Sequence, residues 1–91
     1  MVRNLLPCPH DLEIIPDKVT QMVLRKGFTP VRAWRTFVRF SQRGAARVTG
    51  MTVLTYVELE RKTWPLTEAE RDVICRAFAI SPHQLDIPSA P

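Results

Sequence analysis

The sequence predicts an all-α fold, a small bundle of five helices, and three observations carry that prediction. Apolar residues recur at helical spacing in several separate stretches. A serine, threonine or proline suited to begin a helix precedes each, and Gly27 and Gly50 stand where two of them must end. At 91 residues the chain forms one domain, because two independent cores would each be too small to be stable.

Residues 1–11 contain Pro7 and Pro9 with little periodicity and read as an irregular lead-in. Leu12 to Ile15 is a short extended apolar patch, a candidate N-terminal strand. A helix entered through Pro16 is expected over Asp17 to Lys26, with Val19, Met22 and Val23 inward and Gly27 as its stop. Thr29 and Pro30 start the next, whose stripe is Val31, Trp34, Phe37 and Val38, with Arg32, Arg35 and Arg39 largely off it. Thr67 with Glu70 forms a capping box for a later helix that turns Val73, Ile74, Ala77 and Phe78 inward. Ser81 and Pro82 open a last short turn, and Leu85 and Ile87 close the bottom of the core. The expected division is a lead-in and helix over 1–28, a core over 29–88 and a frayed tail over 89–91.

Composition excludes several classes. With 45% hydrophobic and 24% charged residues the chain is an ordinary globular one, neither disordered nor collagen-like. No apolar run reaches the roughly 18 to 20 residues of a membrane span, and the N-terminus lacks the order of a signal peptide, so a cytoplasmic location is expected. Cys8 and His10 supply only two potential ligands, and Cys75 reads as a buried apolar residue, so neither a metal nor another cofactor is expected. His10 and His83 have no evident partners, and no nucleophile triad, paired carboxylates or phosphate-cradling glycine loop is visible. The expectation is a protein that is not an enzyme.

The stretch Ser41 to Lys62 is the most informative. Ser41 can cap a helix of about seven residues, Ala46 is small enough for a second helix to cross closely, Gly50 supplies the left-handed turn and Thr52 caps that second helix. Met51, Tyr56 and Leu59 would face inward. Together these make a helix-turn-helix. Charge concentrates around it: Arg25 to Lys62 holds nine Lys or Arg against Glu58 and Glu60, a balance of +7 in a chain whose formal net charge is +4. Clustered cations on such a unit point to phosphate binding.

The order Gln42, Ala46, Gly50, Thr52, Leu59, Glu60 resembles the phage repressor and Cro family of helix-turn-helix proteins, the XRE family. The resemblance covers about residues 31 to 85. It implies a structural ion pair between Arg35 and Glu60 and a recognition helix after Thr52. The segment before it, Ile15-Pro16, a helix, Gly27, Pro30 and Trp34-Arg35, is similar to the N-terminal part of antitoxins in toxin–antitoxin operons. Such proteins dimerise, neutralise a toxin and repress their own operon. The alternatives are a plain phage- or plasmid-type repressor, or an adaptor that uses the fold to bind protein.

The resemblance assigns residues to a double-stranded DNA operator bound by a homodimer. Arg39, Arg43, Lys62 and Thr63 would contact phosphates, and Gln42 would read a base from the first helix of the unit. Thr52 and Thr55 would make hydroxyl contacts, Val53 or Leu54 would meet thymine methyls, and Glu58 would accept from a cytosine amino group. The same exposed Val53, Leu54 and Val57 would serve an adaptor as a protein-contact patch. Two departures from the family concern the backbone. Arg39 and Lys62 stand where glycines are usual, so either each carries a Cβ in a left-handed conformation, at roughly 1 kcal/mol, or the local turn differs.

Overall fold

The computed structural model describes residues 15–62 and 65–87. Five α-helices succeed one another: α1 (Asp17–Lys26), α2 (Pro30–Phe37), α3 (Gln42–Thr49), α4 (Val53–Glu60) and α5 (Glu68–Phe78). A short 3₁₀ helix, Pro82–Leu85, completes the order. The fold class is the one the sequence predicts, and the described residues form no strand. Residues 12–14 of the candidate strand, and Cys8 and His10, lie outside the described residues.

Local chemistry sets the helix ends. The hydroxyls of Thr29, Ser41, Thr52 and Thr67 each accept a backbone N–H from three residues on, satisfying a donor that the first turn leaves without an intrahelical partner. The Glu70 carboxylate accepts the Thr67 backbone N–H in return and completes the expected capping box. Gly27 (φ 71°) and Gly50 (φ 76°) take the left-handed conformation that ends α1 and α3.

Arg39 also keeps a left-handed backbone, at φ 68°, so the first of the two glycine departures is carried as a strained residue. Lys62 does not. The chain leaves α4 through Arg61 at φ −89°, and the turn there differs from the expected one. Ala79, at φ 57°, ends α5 in the conformation glycine usually supplies.

The core is one cluster to which every helix contributes. Val19 and Val23 of α1, Val31, Ala33 and Trp34 of α2, Ala45 and Ala46 of α3, Tyr56 and Leu59 of α4, and Ile74, Cys75 and Phe78 of α5 are buried together. Leu85 and Ile87 close it, as expected. Burying Cys75 pushes its thiol pKa up, because desolvation penalises the thiolate. Phe37 departs from the predicted stripe: it is 39% exposed and meets Trp34 edge-on at 5.6 Å. It stands in the last turn of α2, while Ala33 one turn earlier is fully buried.

Long-range hydrogen bonds fix the helices relative to one another. Trp34 Nε1 donates to the Gln84 carbonyl at 2.7 Å, tying α2 to the 3₁₀ helix. Arg71 Nη1 donates to the Pro82 carbonyl and to Asp86 Oδ1, both at 3.0 Å, and holds that helix to α5. No described helix is long and apolar enough to cross a membrane.

Candidate nucleic-acid interface

The helix-turn-helix is built around a buried carboxylate. Glu60, at the end of α4, is only 2% exposed and receives four side-chain hydrogen bonds. Arg35 Nε donates to Oε2 at 2.6 Å and Arg35 Nη2 to Oε1 at 3.3 Å; Gln42 Nε2 adds 3.1 Å to Oε1 and the Tyr56 hydroxyl 2.8 Å to Oε2. A carboxylate removed from water is tolerated only when its lone pairs are satisfied in this way. The cluster joins α2, α3 and α4, and Arg35 reaches further, donating from Nη1 to the Phe40 carbonyl at 2.9 Å. The hydroxyl of Thr29, the N-cap of α2, donates to the backbone carbonyl of Glu60. Burial beside this carboxylate raises the Tyr56 phenol pKa well above its ordinary 10.0, desolvation being the largest cause and the hydrogen bond to Glu60 the next.

Two members of this cluster escape sequence reading. Tyr56 and Glu60 are four apart on α4, so an i, i+4 pairing was available as a signal. Gln42 carried none, since its partner lies 18 residues on and the two meet only through the packing of α3 against α4. The residue expected to read a base is therefore committed through its amide nitrogen to Glu60.

The opposite face of α4 is open. Thr52, Val53, Leu54, Thr55 and Glu58 are exposed, Leu54 at 71% and Val53 at 44%, and Val57 is half-buried. Thr52 and Thr55 are partly occupied with each other, the Thr52 hydroxyl donating to Thr55 Oγ1 at 2.9 Å while accepting the Thr55 N–H at 3.1 Å. Arg39 and Arg43 flank the capped N-terminus of α3 and are exposed. Lys62 is not a free cation. Its ammonium is paired with Glu70 of the α5 capping box, and that hydrogen bond is the largest cause holding the Glu70 carboxyl below its usual pKa. Thr63 lies outside the described residues.

Folding adds two cations that sequence reasoning did not assign to the site. Arg32 and Arg61, distant in sequence, line one open groove with Ser41, Gln42, Arg35 and Glu60. The Arg32 guanidinium stacks 3.9 Å from the centre of the Phe28 ring, and Lys26 approaches the same ring at 5.9 Å. The α3 N-terminus, where the helix dipole is positive, thus opens beside added positive charge. Among the described residues no group of three His, Cys, Asp or Glu could hold a metal ion.

No protein-family model and no curated protein matches this chain. Among solved structures it is similar to a hypothetical transcription factor, NHTF, from Neisseria. The TM-score is 0.57 and the identity 23%, over 97% of this chain and 86% of that one. At that identity the likeness is one of fold.

Proposed function

We propose that this chain is a sequence-specific DNA-binding regulator of transcription, acting as a homodimer and without catalytic activity. The observation that carries the reading is the two-sidedness of α4. Its inner face is locked by the Glu60 cluster, while its outer face is bare and adjoins an α3 N-terminus set among exposed arginines. In a homodimer on a near-palindromic operator, two copies of α4 enter successive major grooves about 34 Å apart. Phosphates meet the first turn of α3 with Arg39 and Arg43, and Arg61 and Arg32 extend that contact. Specificity rests on the Val53 and Leu54 methyls, the Thr52 and Thr55 hydroxyls, Glu58 and DNA shape, a set poor in the Arg and Asn that commonly read bases. The neighbouring fold's description as a hypothetical transcription factor agrees with a regulator.

Within that reading we assign the chain to the autorepressing antitoxins, on the similarity of its Ile15 to Arg35 segment to theirs; the toxin would be a protein partner. One observation favours an adaptor instead. Leu54 and Val53 are among the most exposed large apolar residues described, and contiguous apolar surface generally marks a protein interface.

Fluorescence anisotropy on the duplex upstream of the gene and on a scrambled duplex, across a salt series, separates the readings. A regulator prefers the native duplex and loses affinity steeply with salt, and Arg43→Ala weakens binding to all sequences and flattens the salt dependence. Equal, weak binding to both duplexes would leave the adaptor.

A further inference from the structure

Helix α1 and the end of α2 border a groove of about 490 Å³, of which the DNA reading uses only Arg39 at one edge. Lys18, Arg25 and Lys26 of α1 and Arg39 after α2 line it, and its apolar lining is Met22 and Phe37. The four cations are exposed, and no described carboxylate lines the groove. Among the described residues Lys18, Arg25 and Arg39 have no ion-pair partner, a state they share with Arg32, Arg43, Arg47 and Arg61 outside the groove.

Like charges gathered around a concave surface raise the local positive potential and attract an anionic partner. The lining narrows the class of that partner. A phosphate backbone is served by cations alone and gains nothing from apolar side chains, whereas Phe37 keeps 39% of its surface in water although the stripe of α2 would have buried it. An occupant with carboxylates along its edges and apolar residues between them satisfies both at once.

We infer that the α1–α2 groove is a docking site for an acidic amphipathic segment of a partner protein. The inference shares Arg39 with the DNA reading and otherwise stands on α1 residues that reading does not use. The occupant lays apolar side chains on Met22 and Phe37 and its Asp or Glu residues against Lys18, Arg25, Lys26 and Arg39. Charge complementarity sets its identity and its association rate, and the apolar contact sets its residence time.

The test uses the full chain and a fluorescein-labelled peptide of about 16 residues, with leucines at helical spacing and glutamates between them, beside a control with lysine for every glutamate. We expect the acidic peptide to bind at least about tenfold more tightly than the control, with affinity falling as salt rises. The double reversal Lys18→Glu with Arg25→Glu should lower its affinity by about tenfold or more. Both positions are exposed, so circular dichroism should show an unchanged fold. Equal binding of the two peptides, or no effect of the reversal, overturns the proposal. So does a reversal that weakens binding to a random DNA duplex while the acidic peptide never binds, which would give the groove to phosphates.

Discussion

The two faces of α4 divide one eight-residue helix between them and obey different rules. On one side Tyr56, Leu59 and Glu60 are buried, and the Glu60 carboxylate and Tyr56 hydroxyl are partnered within α2, α3 and α4 itself. On the other side Val53, Leu54, Thr55 and Glu58 are exposed, and the Thr55 hydroxyl accepts a hydrogen bond from that of Thr52. The buried face fixes where the helix lies, and the open face is free to vary in what it contacts. Substitutions on the two should therefore separate: those inside change stability, and those outside change binding alone.

Removing the central carboxylate tests the buried side most severely. Glu60→Ala leaves the half-buried Arg35 guanidinium, the Gln42 amide and the Tyr56 hydroxyl without their acceptor, and should cost about 3 to 5 kcal/mol in urea unfolding. Glu60→Gln keeps a side-chain acceptor and should cost less. A loss below about 1 kcal/mol for the alanine variant would show that the cluster is incidental to the fold.

Next in size is Tyr56→Phe, which deletes one donor to Glu60 and should cost about 0.5 to 1.5 kcal/mol. It also carries a pH signature. Because the folded-state pKa lies above the unfolded 10.0, the neutral phenol's contribution is intact below that pH. It then falls as pH rises toward the folded value, since the unfolded chain gives up its proton first. Denaturant midpoints measured above pH 10 should drop more steeply for the parent than for the variant. Parallel slopes would remove Tyr56 as the cause.

Arg39, between α2 and α3, sharpens the comparison because one substitution there should move stability and binding in opposite directions. Its left-handed backbone costs roughly 1 kcal/mol that glycine avoids, so Arg39→Gly should raise stability by up to that amount while removing the proposed phosphate contact. Thermal unfolding should improve as DNA affinity declines. If both fall together, the side chain supports the fold in a way its exposure does not suggest.

The smallest expected stability effect is at Leu54. With 71% of its surface in water, Leu54→Ala should stay within about 0.5 kcal/mol of the parent while altering the preferred DNA sequence. A selected-site preference identical to the parent's would take Leu54 out of the DNA contact set and strengthen the protein-binding alternative.

Much of the fold was legible because its signals are local. Ser41, Thr52 and the Thr67–Glu70 box cap the residues next to them, Gly27 and Gly50 turn the chain where they stand, and the 3.6-residue period of Val19 and Val23 or Ile74 and Phe78 marks an inward face. Phe37 shows where periodicity stops informing: it fits the stripe, but a stripe does not say whether a neighbouring helix extends far enough to cover its last turn. Ala79 carries no sequence signal: alanine has no preference for the left-handed backbone it adopts where the Cys75 carbonyl accepts the N–H groups of Ala79 and Ile80.

The sequence by itself determined five helices, their order, most of their caps and a concentration of positive charge between Arg25 and Lys62, all properties of residues a few positions apart. Only the tertiary structure decided that Gln42 turns its amide to Glu60, that Lys62 is neutralised by Glu70 while Arg32 and Arg61 share a groove, and that α1 and α2 leave a basic cleft with an apolar lining. The reason is range. Helix caps and periodicity depend on neighbours along the chain, whereas a hydrogen bond across 18 residues or a cleft between two helices exists only after the core has packed and set their separation.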